Sequence, residues 1–238
     1  MRVRLPLGRT LFFVCAFLFA LVALLPMRLA LDWFALDERG LAAREAEGSV
    51  WQGRLSEAQF GALPLGDLQA GLRTLPLLLG RARVDLERDK EADRFVGSAT
   101  VSRHGFGIDD LSARLPLGSM FSALPIGSLE ITEVTARFAD GACTEAEGLV
   151  RATVAGDIGG LALPGGLAGN ARCDGTALLL PLTGQTGQEA LNLRLFDDGR
   201  YEVELAVRPS DDAMRDRLIA SGFQLSGSGY ALSASGTF

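Results

Sequence analysis

A chain of 238 residues with 29 acidic and 23 basic side chains carries a net charge of −6, a balance that repels a phosphate backbone and excludes nucleic acid as the natural partner. Twenty-nine glycines scattered between short apolar runs exceed the ~7% of an average protein and exclude a helical bundle in favour of many turns. A single histidine and three cysteines leave no multi-histidine zinc site to build.

The amino terminus reads as two pieces. Residues 1–10 form a basic tip with Arg2, Arg4 and Arg9 and no acid. Residues 11–31 form a candidate transmembrane anchor from Leu11 to Leu31, whose apolar heart is LFFVCAFLFALVALLPM. That run of 17 residues, Leu11–Met27, gives about 26 Å of helix against a hydrocarbon core of roughly 30 Å. Continuing through Arg28 to Leu31 closes the gap, because an arginine near a helix end can snorkel to the headgroups. The basic tip then stays cytoplasmic and the remainder is exported, by the positive-inside rule. A cleaved signal peptide is the rival reading, but the run exceeds a usual signal core and no small-x-small site follows it. A lipoprotein signal fits worse, since Cys15 lies inside the apolar run behind Val14.

The residues after Leu31 hold 19 of the basic and all 29 of the acidic side chains, a balance of about −10 that offers no general attraction to anionic lipid. Residues 32–47 (DWFALDERGLAAREAE) predict a juxtamembrane helix, with Trp33 and Phe34 at interfacial height and an Ala- and Glu-containing tail. Gly48 stops it, and residues 48–238 form the exported domain. Gly48–Gly53 predicts a first strand with Trp51 at its centre as a core aromatic.

A phrase L-P-apolar-G-[SD]-apolar recurs at Leu63–Leu68, Leu115–Met120 and Leu124–Leu129, with an echo at Leu163–Leu167. Proline confines it to an edge or a strand start, and glycine permits a tight turn. Recurring turn chemistry and an internal duplication are both open readings. Around these phrases the period is two. Val84 and Leu86 alternate with Arg83, Asp85 and Glu87, and Val150, Ala152 and Val154 alternate with Arg151 and Thr153. Leu129 and Ile131 open a similar run to Phe138, and Phe95 to Val101 another. One polar and one apolar face predict antiparallel strands wetted on one side.

Cys143 and Cys173 are the only exported pair, and in an oxidising compartment a lone pair is most simply a disulfide, with two buried free thiols as the alternative. The glycine-dense stretch between them, from Gly156 to Gly169, reads as a loop tethered by that bond. Leu191, Leu193 and Leu195 lead into Asp197-Asp198-Gly199, and Tyr201, Val203, Leu205 and Val207 lead away, a strand–turn–strand pattern. Pro209–Asp212 sets up the capped start of a short helix that ends at Gly222, and Tyr230–Phe238 alternates as a last strand. The fold class is therefore mainly β: one N-terminal transmembrane helix, then a curved antiparallel β-sheet domain with one or two short helices.

No catalytic constellation emerges. His104 sits between Arg103 and Gly105 as a turn residue, and neither G-x-S-x-G nor a P-loop occurs. Asp109-Asp110, Asp197-Asp198 and Asp211-Asp212 are neighbours in sequence, and neighbours on a strand point to opposite faces. No metal site, cofactor site or catalytic residue is expected, and the chain reads as a non-enzyme.

Several segments, in order along nearly the whole chain, resemble the type II secretion system protein N family. They are the basic tip and anchor, GSVWQGR at Gly48–Arg54, LPLGDLQAGLRTLPLLLGR at Leu63–Arg81, GACTEAEGLVRA at Gly141–Ala152, GNARCDGTALLLPL at Gly169–Leu182, DGRY at Asp198–Tyr201 and Gly222-Phe223. The resemblance implies a single-pass inner-membrane protein with a periplasmic β domain, accessory to the export of folded proteins through an outer-membrane secretin. Its expected partners are other inner-membrane and periplasmic type II secretion proteins and the bilayer itself, and it implies no enzymatic residues. A second functional reading is a lipid- or lipoprotein-binding β-groove module on the same anchor, prompted by runs such as Leu178–Leu182. An outer-membrane barrel, prompted by Phe238, and a periplasmic hydrolase fit the sequence less well.

Overall fold

The computed structural model describes residues 7–29, 41–61, 63–88, 94–117, 126–154, 157–158, 161–162, 166–227 and 229–237. The chain begins with helix α1 (Leu7–Ala23), whose apolar side chains from Leu11 to Val22 project away from the rest of the molecule and stay exposed. No helix among the described residues is long and apolar enough to cross a membrane. The 17 residues of α1 make about 26 Å.

The expected continuous helix to Leu31 is interrupted. Pro26 has no N–H to donate to a helix and instead forms a bridge with Ser49, while the Val50 N–H donates to the Leu25 carbonyl at 3.0 Å. Met27 is buried in the domain core, and Arg28, expected to reach for headgroups, donates from Nε to the Ala46 carbonyl at 2.8 Å. Leu31, Arg2 and Arg4 lie outside the described residues, and Arg9 falls within α1.

A single 16-stranded, wholly antiparallel sheet follows. Its first part comprises β1 (Leu41–Ala42), β2 (Glu45–Ser49), β3 (Gln52–Phe60), β4 (Leu63–Leu72), β5 (Ala82–Arg88), β6 (Phe95–Val101), β7 (Gly105–Pro116), β8 (Ile126–Ala139) and β9 (Ala142–Val154). A short helix, α2 (Thr74–Leu78), joins β4 to β5. A separate two-stranded ribbon, β10 (Asp157–Ile158) with β11 (Leu161–Ala162), interrupts the chain. The sheet resumes with β12 (Leu167–Asn170), β13 (Arg172–Asp174), β14 (Ala177–Gly184), β15 (Glu189–Phe196), β16 (Arg200–Val207), β17 (Gln224–Ser226) and β18 (Gly229–Thr237). Helix α3 (Asp212–Ala220) lies between β16 and β17, capped by the Asp211 carboxylate, which accepts the Met214 N–H at 2.7 Å.

Two boundaries move. Leu41–Ala42 and residues 45–47, expected in a juxtamembrane helix, are in strands: Ala46 faces Leu55 and is buried, while Glu45 and Glu47 point outward. Helix-forming residues yield here to pairing with β3, because the buried alternate position outweighs a weak intrinsic preference. Residues 32–40 of that segment lie outside the described residues, and the sheet starts before the expected boundary at Gly48. Trp51, expected at the centre of a strand, sits on the turn between β2 and β3 and is half-buried.

The repeated L-P-x-G phrase has no single role. The first opens β4, the second ends β7 at Pro116 and runs out of the described residues, and the third leads into β8 at Ile126. The glycine-dense segment also departs from a plain loop, since Leu167–Asn170 enters the sheet between β9 and β14.

One face of the sheet is apolar from end to end. Facing residues such as Leu129 and Ala152, Leu182 and Leu191, or Leu205 and Leu232 bring the alternate side chains of successive strands together. Leu167, Leu182 and Leu218 are 0% exposed, so this face is filled by the protein's own side chains. Each fully buried leucine contributes about 1.5–3 kcal/mol of transfer free energy. The Cys143–Cys173 disulfide forms, with Cα atoms 5.4 Å apart. It lies where β9 has no backbone ladder to β13. Gly148, at φ +109°, marks the change: its carbonyl accepts the Ala171 N–H at 2.9 Å, and a Cβ there would stand 2.5 Å from Val134 Cα.

Candidate functional site

Strand connections alternate between the two ends of an antiparallel sheet. The β2–β3 turn, α2, the β6–β7 turn and the β8–β9 turn share one end, and α1 attaches there. The attachment has three parts: Pro26 on Ser49, the Leu25 carbonyl on the Val50 N–H, and the Trp51 indole Nε1, which donates to the Val22 carbonyl at 3.1 Å. Val22 is in the last turn of α1, whose final carbonyls have no intrahelical donor. The Val22 carbonyl also accepts the Leu25 N–H at 3.3 Å, so Trp51 adds a second bond to the helix terminus and ties α1 to the sheet. Its signal in the sequence was only its position between glycines; nothing local marked it as a joint.

Beside the joint, the Leu72 N–H donates to the Val50 carbonyl at 2.9 Å, and the Arg73 N–H to the Arg83 carbonyl at 2.8 Å. These bonds fix the ends of the loop that holds α2. An open cleft of about 870 Å³ lies between Trp51, Arg54, Thr74 and Glu87, and a second of about 560 Å³ between Leu75, Leu79, Thr100, Phe106 and Arg137.

The floor of the second cleft is a polar face that the sequence did not announce. Asp109 on β7 is only 6% exposed. Its Oδ1 accepts from Arg137 Nη2 at 2.7 Å and Nε at 3.1 Å, and its Oδ2 accepts from Thr100 Oγ1 at 3.1 Å with Arg83 Nη1 at 3.5 Å. Arg83 also approaches Asp85, which pairs with Arg73, and Arg137 pairs with Glu145. Six alternating charges thus run from the end of β4 across β5, β7 and β8 to β9. The hydrogen bond to Asp109, with the charges of Asp109 and Glu145, raises the Arg137 guanidinium above its ordinary value, so it stays cationic.

A bulge separates the pair Asp109-Asp110. Ile108 faces Ala136 and Leu111 faces Val134, so two aspartates oppose the single residue Thr135. Asp109 turns into the ion cluster, whereas Asp110 is exposed at φ +53° with its N–H donating to Thr135 Oγ1 at 3.2 Å. Asp197 and Asp198 occupy the β15–β16 turn. His104 lies exposed on the β6–β7 turn, 3.6 Å from Asp140. Among the described residues no group of three or more histidines, cysteines or acids is placed to hold a metal ion. The Asp109 carboxylate spends its lone pairs on arginines and a threonine, an arrangement that ties β5, β6, β7 and β8 together.

The last feature is an edge. Beyond its short pairing with β17, which ends at Ala231, the stretch Leu232–Thr237 of β18 is bonded to β16 on one side only among the described residues. Its sequence, LSASGT, has neither charge nor proline, the usual means of blunting an edge.

Comparison with known proteins settles the family. The model for "Type II secretion system (T2SS), protein N" matches residues 39–233. The chain belongs to the type II secretion system protein N family. The Type II secretion system protein N of Vibrio cholerae is 29% identical over 217 residues, covering 85% of each chain. No solved structure matches.

Proposed function

We propose that this protein is a non-enzymatic, inner-membrane accessory of a type II secretion system that works by position: α1 holds it to the bilayer, and its sheet offers the open edge of β18 to a strand of another secretion subunit. Family membership supports the secretion context. The single observation that carries the positional reading is the joining of an exposed apolar helix to the β-sheet domain. The phenylalanines and leucines of α1 from Leu11 to Leu21 are exposed and need an apolar solvent. Seventeen helical residues stand at the lower limit for spanning, and Leu24 and Leu25 extend the apolar run. The amino terminus with Arg2, Arg4 and Arg9 would then be cytoplasmic and the sheet periplasmic, which suits the disulfide.

The open edge suits strand addition, in which backbone hydrogen bonds supply affinity and alternate side chains supply selectivity. Photo-crosslinkers placed in cells at Ser233, Ser235 and Thr237 should yield adducts with other secretion subunits. Absence of adducts from all three, together with unchanged secretion after deletion of the gene, would sink the proposal. The lipid-groove reading requires accessible leucines on the apolar face, and Leu178, Leu180, Leu182, Leu191 and Leu193 are all buried, so no observation favours it.

A further inference from the structure

The sequence Thr74-Leu-Pro-Leu-Leu-Leu-Gly80 looks like core material, yet α2 has no buried residue. Leu75, Leu78 and Leu79 are 75%, 84% and 80% exposed, and Leu77 and, across the second cleft, Phe106 are exposed as well. The loop presenting them is well ordered by its own bonds. Thr74–Leu78 is helical, the Gly80 and Arg81 N–H groups close back on the Leu77 and Pro76 carbonyls at 3.0 Å, and Gly80 at φ +71° ends the turn. An apolar knob held out this firmly has a destination.

Three observations identify it. The knob stands at the end of the sheet where α1 joins, next to the Val50–Trp51 turn through the Leu72–Val50 hydrogen bond. Exposed arginines flank it: Arg73 just before the helix, which also pairs with Asp85, Arg81 just after it, and Arg103 on the adjoining β6–β7 turn. Leucines flanked by arginines are the composition of a surface that sits at a headgroup boundary, apolar side chains inward and cations among phosphates. The acidic balance of the whole chain gives no general attraction to anionic lipid, so the contact has to be local.

We infer that α2 is a second membrane contact: its leucines and Phe106 rest in the headgroup layer of the bilayer that holds α1, and the domain stands end-on to that bilayer. Two separated contacts fix an orientation that one flexible tether leaves open. This rests on the reading of α1 as an anchor. The test uses the full chain in vesicles of phosphatidylethanolamine and phosphatidylglycerol, with Cys15→Ser and an environment-sensitive fluorophore on either Leu78→Cys or Gln185→Cys, the latter on the β14–β15 turn at the far end of the sheet. Emission from position 78 should be blue-shifted and quenched by lipids carrying a nitroxide near the headgroup, while position 185 should behave as if in water. If position 78 matches position 185 while the protein resists carbonate extraction, the docking is wrong and the anchor stands. If carbonate extracts the protein, both readings fail. Shielding of position 78 only when other inner-membrane secretion subunits are co-reconstituted also overturns lipid docking, in favour of a protein contact.

Discussion

The sheet divides at the Cys143–Cys173 bond into two halves that solve the same problem differently. In the first half, β1–β9, cohesion on the outer face comes from a run of ion pairs through Asp85, Arg83, Asp109 and Arg137, and the edge is covered by Pro26 and flanked by Glu45 and Glu47. In the second half, β12–β18, cohesion comes from densely buried leucines on the other face, and the last edge is bare. The first half is tied down; the second is finished with a surface that another strand can join. Of that run only Asp109 is buried, and ion pairs whose arginines reach solvent contribute little net stability. Apolar burial stabilises both halves, and leucines fill it most densely in the second.

Mutations can break that division in a graded order. Leu182→Ala, at a 0% exposed site in the second half, should lower stability by about 3–5 kcal/mol, read as a shift in denaturant midpoint; a loss below ~1 kcal/mol would deny the leucines of that half their part. Replacing both Cys143 and Cys173 by serine reopens a loop of 30 residues and should cost about 3–4 kcal/mol, with the two halves melting apart in hydrogen exchange if the seam couples them. Asp109→Asn keeps the shape and removes one charge from the first half; because both arginines reach solvent, the expected cost is only about 1–3 kcal/mol. The smallest effect belongs to the second half's turn. Arg200 donates to the Asp198 carboxylate from its side chain and backbone and holds that carboxyl below its ordinary value. A depressed folded-state value means the contribution is complete above the ordinary carboxylate range and is lost as pH falls through the folded value. Asp198→Asn should lower stability slightly at neutral pH, leave it unchanged in acid, and so flatten the acid limb of a stability–pH curve.

Legibility in the sequence followed the same division. The β15–β16 hairpin, the Asp211 cap and the final strand were readable because an apolar face and a standard turn agree there. In the first half the local signals point the wrong way or fall silent. LAAREAE spells a helix but pairs with β3; nothing local marks TLPLLLG as exposed; Trp51, half-buried against the core, also bonds the end of a helix. Each owes its position to a partner far along the chain, which no short window contains. The Asp109 cluster was hidden for a different reason: its members come from β5, β6, β7 and β8, and a bulge suspends the alternation that would have exposed them.

The strand order also carries a kinetic consequence. From β3 through β9 every strand lies beside its neighbour in sequence, and β14 through β16 repeat the pattern. Closing each hairpin costs only a short loop, so a chain delivered amino terminus first can add strands one at a time, each templated by the last. From β3 onward, chain order is broken only at the end, where β18 lies between β16 and β17; the step from β9 to β14 is made by the short strands β12 and β13, after the separate β10–β11 ribbon. Oxidation of the cysteines falls at that step, which makes disulfide formation the natural checkpoint between a half-built sheet and one able to display its last edge.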